Sequence, residues 1–163
     1  MLGGRVWRHF DLGSQLFNPL RADFFDLPPV PGLLDASGAQ IPGFSADSIK
    51  GQTVFLHAFA SWCPSCIDEH PALMEFARSG SPIYGVASLD DPAQTLAFLQ
   101  ARGNPFAKVG VDRKGQLYRA LRARGIPASF VMAPAPRLAL TLEGPQEISA
   151  LQEKIGPLLP AKS

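Results

Sequence analysis

The stretch "VFLHAFASWCPSCIDEHPALMEF", residues 54–76, decides the fold. With Thr53 in front, residues 53–60 are almost continuously apolar and aromatic, the pattern of a strand buried on both faces. Trp62, Cys63 and Cys66 follow, and Pro64 suits the first turn of a helix. In that helix Ile67, Leu73, Met74 and Ala77 line one face, up to about Ser79. A strand thus runs into a helix across a C-x-x-C pair, and the chain holds only 2 cysteines.

Downstream, "PIYGVASL" (82–89) reads as a second buried strand. Asp91-Pro92 caps a helix whose apolar edge is Leu96 and Leu99 and which ends at Gly103. "AKVGVD" (107–112) fits a short strand and "GQLYRALRAR" (115–124) a short amphipathic helix. "ASFVMA" and "RLALTL", separated by "PAP", read as a hairpin, and "QEISALQEKIGPLL" as a terminal helix with Ile148, Leu151 and Ile155 inward. The order β-α-β-α-β-α-β-β-α predicts an α/β fold: a central mixed sheet with parallel crossovers, flanked by helices, plus a late antiparallel hairpin.

Upstream, "LPPVPGLLDASGAQIPGFSADSIKG" (27–51) suits turns and short strands rather than a long helix. Residues 1–27 read as an N-terminal arm with one short helix, and 28–163 as a single domain. At 46% hydrophobic, 163 residues can bury a core without metal or disulfide staples. A net charge of +1 gives no reason to expect nucleic acid or an acidic partner. No segment approaches 18 apolar residues, and Arg5 and Arg8 precede no apolar leader core, so neither a membrane span nor a secretory signal is expected within this sequence.

With a purely structural disulfide set aside, three readings of the cysteine pair stand side by side. A loop this short removes little unfolded-state entropy, so a purely structural disulfide gains little. Metal binding, as in a copper or zinc carrier, would draw Cys63, Cys66 and His70 together, with Glu69 the nearest candidate for a fourth ligand. Inert core cysteines are the plainest reading. Thiol–disulfide exchange fits best. A cysteine at a helix N-terminus feels roughly half a positive charge, which favours the thiolate. Cys63 would sit there exposed, with Cys66 shielded one turn inside. Strand–C-x-x-C–helix within a βαβ unit is the thioredoxin-like signal. "RGIPASF" adds Pro127 ahead of an apolar strand, where such folds place a cis-proline opposite the cysteines; the Ile126 backbone there could pair with an extended substrate.

"FASWCPSCIDEHP", "DDPAQTLAFLQARGNPF", "VGVDRKG" and "GIPASF" occur in the order and spacing of the CcmG/DsbE proteins of cytochrome c maturation, a TlpA-like thioredoxin group, and the sequence resembles that family over about residues 28–160. The resemblance implies a thioredoxin-like fold with an N-terminal extension and a central insertion. It also implies a periplasmic, membrane-tethered reductant, here reaching a membrane only through an anchor outside this sequence. Electrons would come from a membrane disulfide reductase and pass to protein disulfide substrates, apocytochrome c among them. The redox-active disulfide Cys63–Cys66 would serve without a cofactor. Cys63 would attack, Cys66 resolve, and Trp62, Pro64, Ile126 and Pro127 would form the substrate-binding surface. The family's acidic residue three positions after the second cysteine is matched by Glu69, a carboxylate able to tune or relay the proton of Cys66.

Two positions depart from the family pattern. Ala128 stands where the family has a glutamate after the cis-proline, and "RARG" replaces the usual approach to it, so that Arg122 and Arg124, with Arg119, could form a basic rim. His57 lies six residues before Cys63, where thioredoxins carry Asp and this family commonly Asn. A histidine there could act as base for Cys66 or be an ordinary core histidine held by a backbone carbonyl.

Overall fold

The computed structural model describes residues 25–134 and 137–161. The short helix expected in the arm lies outside the described residues. Five strands form the main sheet: β3 (Val54–Phe59), β4 (Ile83–Ser88), β5 (Lys108–Asp112), β6 (Ala128–Ala133) and β7 (Arg137–Glu143), in the order β5-β4-β3-β6-β7. β3, β4 and β5 run parallel, and β6 and β7 are antiparallel additions. β3 is central and all six of its residues are buried, which is why its sequence is apolar without alternation.

The parallel strands are joined by crossover helices α2 (Pro64–Arg78) and α3 (Pro92–Arg102). Each starts as the sequence predicts: Cys63 caps α2 with Pro64 at its first turn, and the Asp91 carboxylate caps α3 by accepting from the Ala93 N–H. Ahead of β3, β1 (Asp26–Leu27) and β2 (Phe44–Ser45) form a small antiparallel ladder, and α1 (Ala46–Ile49) is a single capped turn. Phe25 and Leu27 are already buried there, so the packed chain starts ahead of the boundary drawn at residue 28. α4 (Gln116–Ala120) is shorter than the helix expected over 115–124: the chain turns at Leu121, and Arg122 takes a positive φ of 64°. Arg122 and Arg124 therefore sit on a turn rather than a helix face. The terminal helix begins at Ile148 and widens into a π turn, Leu151–Ile155, with Leu151 and Ile155 buried. No helix among the described residues is long and apolar enough to cross a membrane.

The sheet separates two cores. Leu56, Phe44, Tyr84, Leu117 and Phe130 fill one. Phe55, Phe59, Leu73, Phe76, Leu99, Phe106 and Leu151 fill the other, together with both cysteines. The inward stripe of α2 is Cys66, Glu69, His70, Leu73 and Phe76. The face expected from Ile67, Met74 and Ala77 is only half-buried, because two ionisable residues occupy the true inward stripe and hide it from a search for apolar periodicity.

Candidate active site

The C-terminal end of β3 delivers Trp62, Cys63 and Cys66 to the start of α2, and the loop before β6 closes over them. The Ile126–Pro127 peptide is cis, as expected, and the Ile126 carbonyl lies 3.9 Å from Cys63 Sγ. Cys63 Sγ in turn accepts a hydrogen bond of 3.2 Å from the backbone N–H of Cys66. That is one of the unpaired donors of the helix start, aimed where a thiolate charge would develop. Cys63 was expected to be exposed. It is only 5% exposed, because the cis-proline loop covers it on one side and the helix start on the other.

The Ser61–Trp62 segment that leads from β3 into α2 is clamped by the β4–α3 corner. Buried Asp90 accepts from the Ser61 N–H at 2.8 Å, the Ser61 hydroxyl at 2.8 Å and the Thr95 hydroxyl at 2.8 Å. The Trp62 indole N–H donates to the Leu89 carbonyl at 2.9 Å, while the residue stays 56% exposed. Trp62 thus stands as a fixed apolar surface next to Cys63. The clamp role of Asp90 was not foreseen; its signal was a carboxylate directly before the Asp91-Pro92 helix start, one acid more than a cap requires.

Beneath Cys66 the structure joins two residues that the sequence offered separately. His57 Nε2 is 3.0 Å from Glu69 Oε1, and both side chains are out of water. Neither of these two atoms has another hydrogen-bond partner among the described residues, and the ring meets the oxygen off the line of a good hydrogen bond. The other carboxylate oxygen accepts from the Gln146 N–H at 2.7 Å. The other imidazole nitrogen, Nδ1, is 2.9 Å from the Ser129 hydroxyl on the neighbouring strand, where Ser129 is the register partner of His57. His57 is therefore held by side chains and not by a backbone carbonyl. Its ring stacks near Phe59 and Phe106 at centroid distances of 6.4 and 6.3 Å. Burial, then the neighbouring Cys63 thiol, with the Glu69 charge adding, push the Cys66 thiol well above the usual range.

His70 does not join this group. Its Nε2 lies 2.9 Å from the Gly103 carbonyl at the end of α3 and its ring packs edge-on against Phe98. Among the described residues no three His, Cys, Asp or Glu side chains are gathered as a metal site would require. Ala128 is fully buried between Ala58 and Glu143, and the Glu143 carboxylate accepts from the Arg124 N–H at 2.9 Å. The arrangement as a whole presents one thiol capping a helix start beside the cis-proline loop, a second thiol one turn inside, and the buried His57–Glu69 pair, whose carboxylate charge acts on that second thiol.

Comparison with known proteins gives the same picture. The sequence model described as the AhpC/TSA family matches residues 25–140. The thiol:disulfide interchange protein HelX of Rhodobacter capsulatus is 33% identical over 126 residues, spanning 77% of this chain and 72% of that protein. The thiol:disulfide interchange protein CycY of Rhizobium leguminosarum bv. viciae is 32% identical over 125 residues, spanning 76% and 67%. Among solved structures, dsbF of MTB superposes with a TM-score of 0.66 at 22% identity, over 82% of this chain and 94% of that one; this likeness concerns the fold, which is thioredoxin-like.

Proposed function

We propose that this chain, which belongs to the AhpC/TSA family and there to the thiol:disulfide interchange proteins, works as a reductant of protein disulfides in c-type cytochrome assembly. It is a thiol:disulfide oxidoreductase, and the proposal concerns direction, residues and substrate. One observation carries it: Cys66 is buried one turn inside the helix start, so that burial first, then the Cys63 thiol and last the Glu69 charge oppose its ionisation, while the Cys63 sulfur accepts a single backbone N–H, that of Cys66. A pair whose anionic reduced form is weakly stabilised gives up its electrons readily; strong stabilisation of the thiolate makes an oxidant instead.

In the proposed cycle the Cys63 thiolate attacks one sulfur of the substrate disulfide. A mixed disulfide forms and the first substrate thiolate leaves. Cys66 then loses its proton to the Glu69–His57 pair and attacks Cys63 Sγ. The Cys63–Cys66 bond forms, the bond to substrate breaks, and the second substrate thiolate leaves. Two electrons pass to the substrate and no cofactor takes part. Trp62, Pro64, Ile126 and the cis-Pro127 loop form the groove in which an extended substrate lies. The substrate class is the C-x-x-C-H haem-attachment segment of an apocytochrome. A membrane disulfide reductase returns the protein to the dithiol in the periplasm.

The test is a synthetic C-x-x-C-H peptide in its disulfide form, mixed with the reduced protein. Stoichiometric appearance of peptide thiols, with oxidation of Cys63 and Cys66, supports the proposal. Electron flow the other way, from peptide dithiol to the oxidised protein, contradicts it.

A further inference from the structure

Glu143 ends β7 and has no part in the cycle above, yet it holds the loop that the cycle needs. Its Oε1 accepts from the Arg124 backbone N–H at 2.9 Å, a short way ahead of cis-Pro127. The next residue, Gly144, donates its N–H to the Pro127 carbonyl at 2.9 Å. Gly144 takes a φ of 78°, a turn that suits glycine, and the Gln146 side-chain amide braces that turn by donating to the Glu143 and Gly144 carbonyls at 3.2 Å each. The end of β7 thus grips the cis-proline loop on both sides. Between the two grips, Gly125 is exposed and Ile126 half-buried, and their N–H groups have no hydrogen-bond partner among the described residues. The Ile126 carbonyl is the group that lies 3.9 Å from Cys63 Sγ.

The register explains why the carboxylate stands at 143. Ala128 and Glu143 are paired directly across β6 and β7. Ala128 is fully buried, whereas Glu143 is exposed. The acid missing from position 128 is therefore found one strand further out, on a strand that pairs only with β6. From there it reaches back to the loop. A carboxylate on a backbone N–H makes a charge-assisted bond, stronger than one between neutral groups.

We propose that Glu143 is a positioning residue for the protein substrate. By holding the Arg124 N–H it keeps the Gly125–Ile126 backbone in place beside Cys63, where the two N–H groups are offered to an extended substrate segment, as in strand addition. Without that grip the substrate would have to order the loop as it binds, and the ordering costs part of the binding free energy. The effect falls on binding more than on thiol exchange, because the carboxylate bonds to the loop backbone and not to either sulfur. The inference rests on the exchange chemistry proposed above.

Hydrogen exchange followed by NMR tests the grip in the reduced wild-type protein. The Arg124 amide should be protected and the Gly125 and Ile126 amides open; an Arg124 amide that exchanges as freely as its two neighbours overturns the inference without any variant. Single-turnover reduction of a disulfide-form C-x-x-C-H peptide, measured against peptide concentration, then separates half-saturation from limiting rate. Glu143→Ala should raise the half-saturating concentration by about three- to tenfold, the range of one hydrogen bond, and by more than it lowers the limiting rate. Glu143→Gln, whose amide oxygen can still accept, should recover most of that loss. A half-saturating concentration within about twofold of wild type in Glu143→Ala overturns the inference. So does a loss in Glu143→Gln as large as in Glu143→Ala, or a fall confined to the limiting rate. A wild-type protein that reduces no peptide overturns the exchange reading on which the inference rests, a result distinct from these.

Discussion

The imidazole of His57 and the carboxylate of Glu69 meet at 3.0 Å in the core behind the cysteine pair, one from the central strand and one from the helix the cysteines begin. Burying two ionisable groups together is costly unless they satisfy one another. Here each also has a second partner, Ser129 for the ring and Gln146 for the carboxylate, and the expected consequences are chemical as well as structural.

Replacing Glu69 by Gln keeps an acceptor for the Gln146 N–H and removes the negative charge. Thiolates of the reduced pair are then less opposed, so the reduced form gains and the reduction potential rises. A shift of about 30 mV or more, the equivalent of about 1.4 kcal/mol for a two-electron couple, is expected on equilibration with glutathione. An unchanged potential would remove Glu69 from the tuning of the pair.

The raised thiol of Cys66 makes the stability of the reduced protein depend on pH. Below about pH 8.5 the thiol is protonated both folded and unfolded, and its contribution is fully present. Above that value the unfolded chain gives up a proton that the folded chain keeps, so stability falls as pH rises, by at most about 1.36 kcal/mol per unit for this one group. The disulfide form lacks the group. Urea midpoints of the two forms, measured from neutral to alkaline pH, should therefore diverge, with the reduced form losing ground.

His70 gives the opposite slope. Burial first, and nearby positive charge, hold it below the ordinary histidine range. Its contribution is present above the unfolded value of about 6.5 and is lost as pH falls through the lower folded value, because the unfolded chain binds the extra proton. His70→Gln should flatten the loss of urea stability between neutral and mildly acidic pH; an equally steep loss would assign that slope to other groups.

Gly85 is the register partner of His57, and a Cβ built on it would stand 2.8 Å from the Phe106 ring. Phe106 also stacks on Phe59 at 4.8 Å, so it has little room to yield. Gly85→Ala should cost about 1–3 kcal/mol of stability by overpacking, read as a lower urea midpoint. A midpoint at the wild-type value would show that the aromatic stack is looser than described.

The strands and crossover helices were legible because β3 is buried on both faces, and because Asp91 and Pro64 are local signals of helix starts that tertiary packing did not override. The cis-Pro127 loop was legible from its place ahead of an apolar strand, together with the family resemblance. The inward stripe of α2 was not, since Glu69 and His70 occupy it and apolar periodicity then favours the neighbouring stripe. Nor was Ser129 found: one small polar residue in an apolar strand carries no signal until register places it opposite His57. Likewise His70, four residues after Cys66, had the spacing of a ligand, and only the fold turns it to Gly103.

The most direct test of the central claim is the reduction potential of Cys63–Cys66, taken by equilibration against defined thiol buffers. A reductant with a weakly stabilised thiolate should lie towards thioredoxin, at about −270 mV. A value near about −120 mV, that of the oxidant DsbA, would contradict the account, because the protein would then make disulfides rather than reduce them.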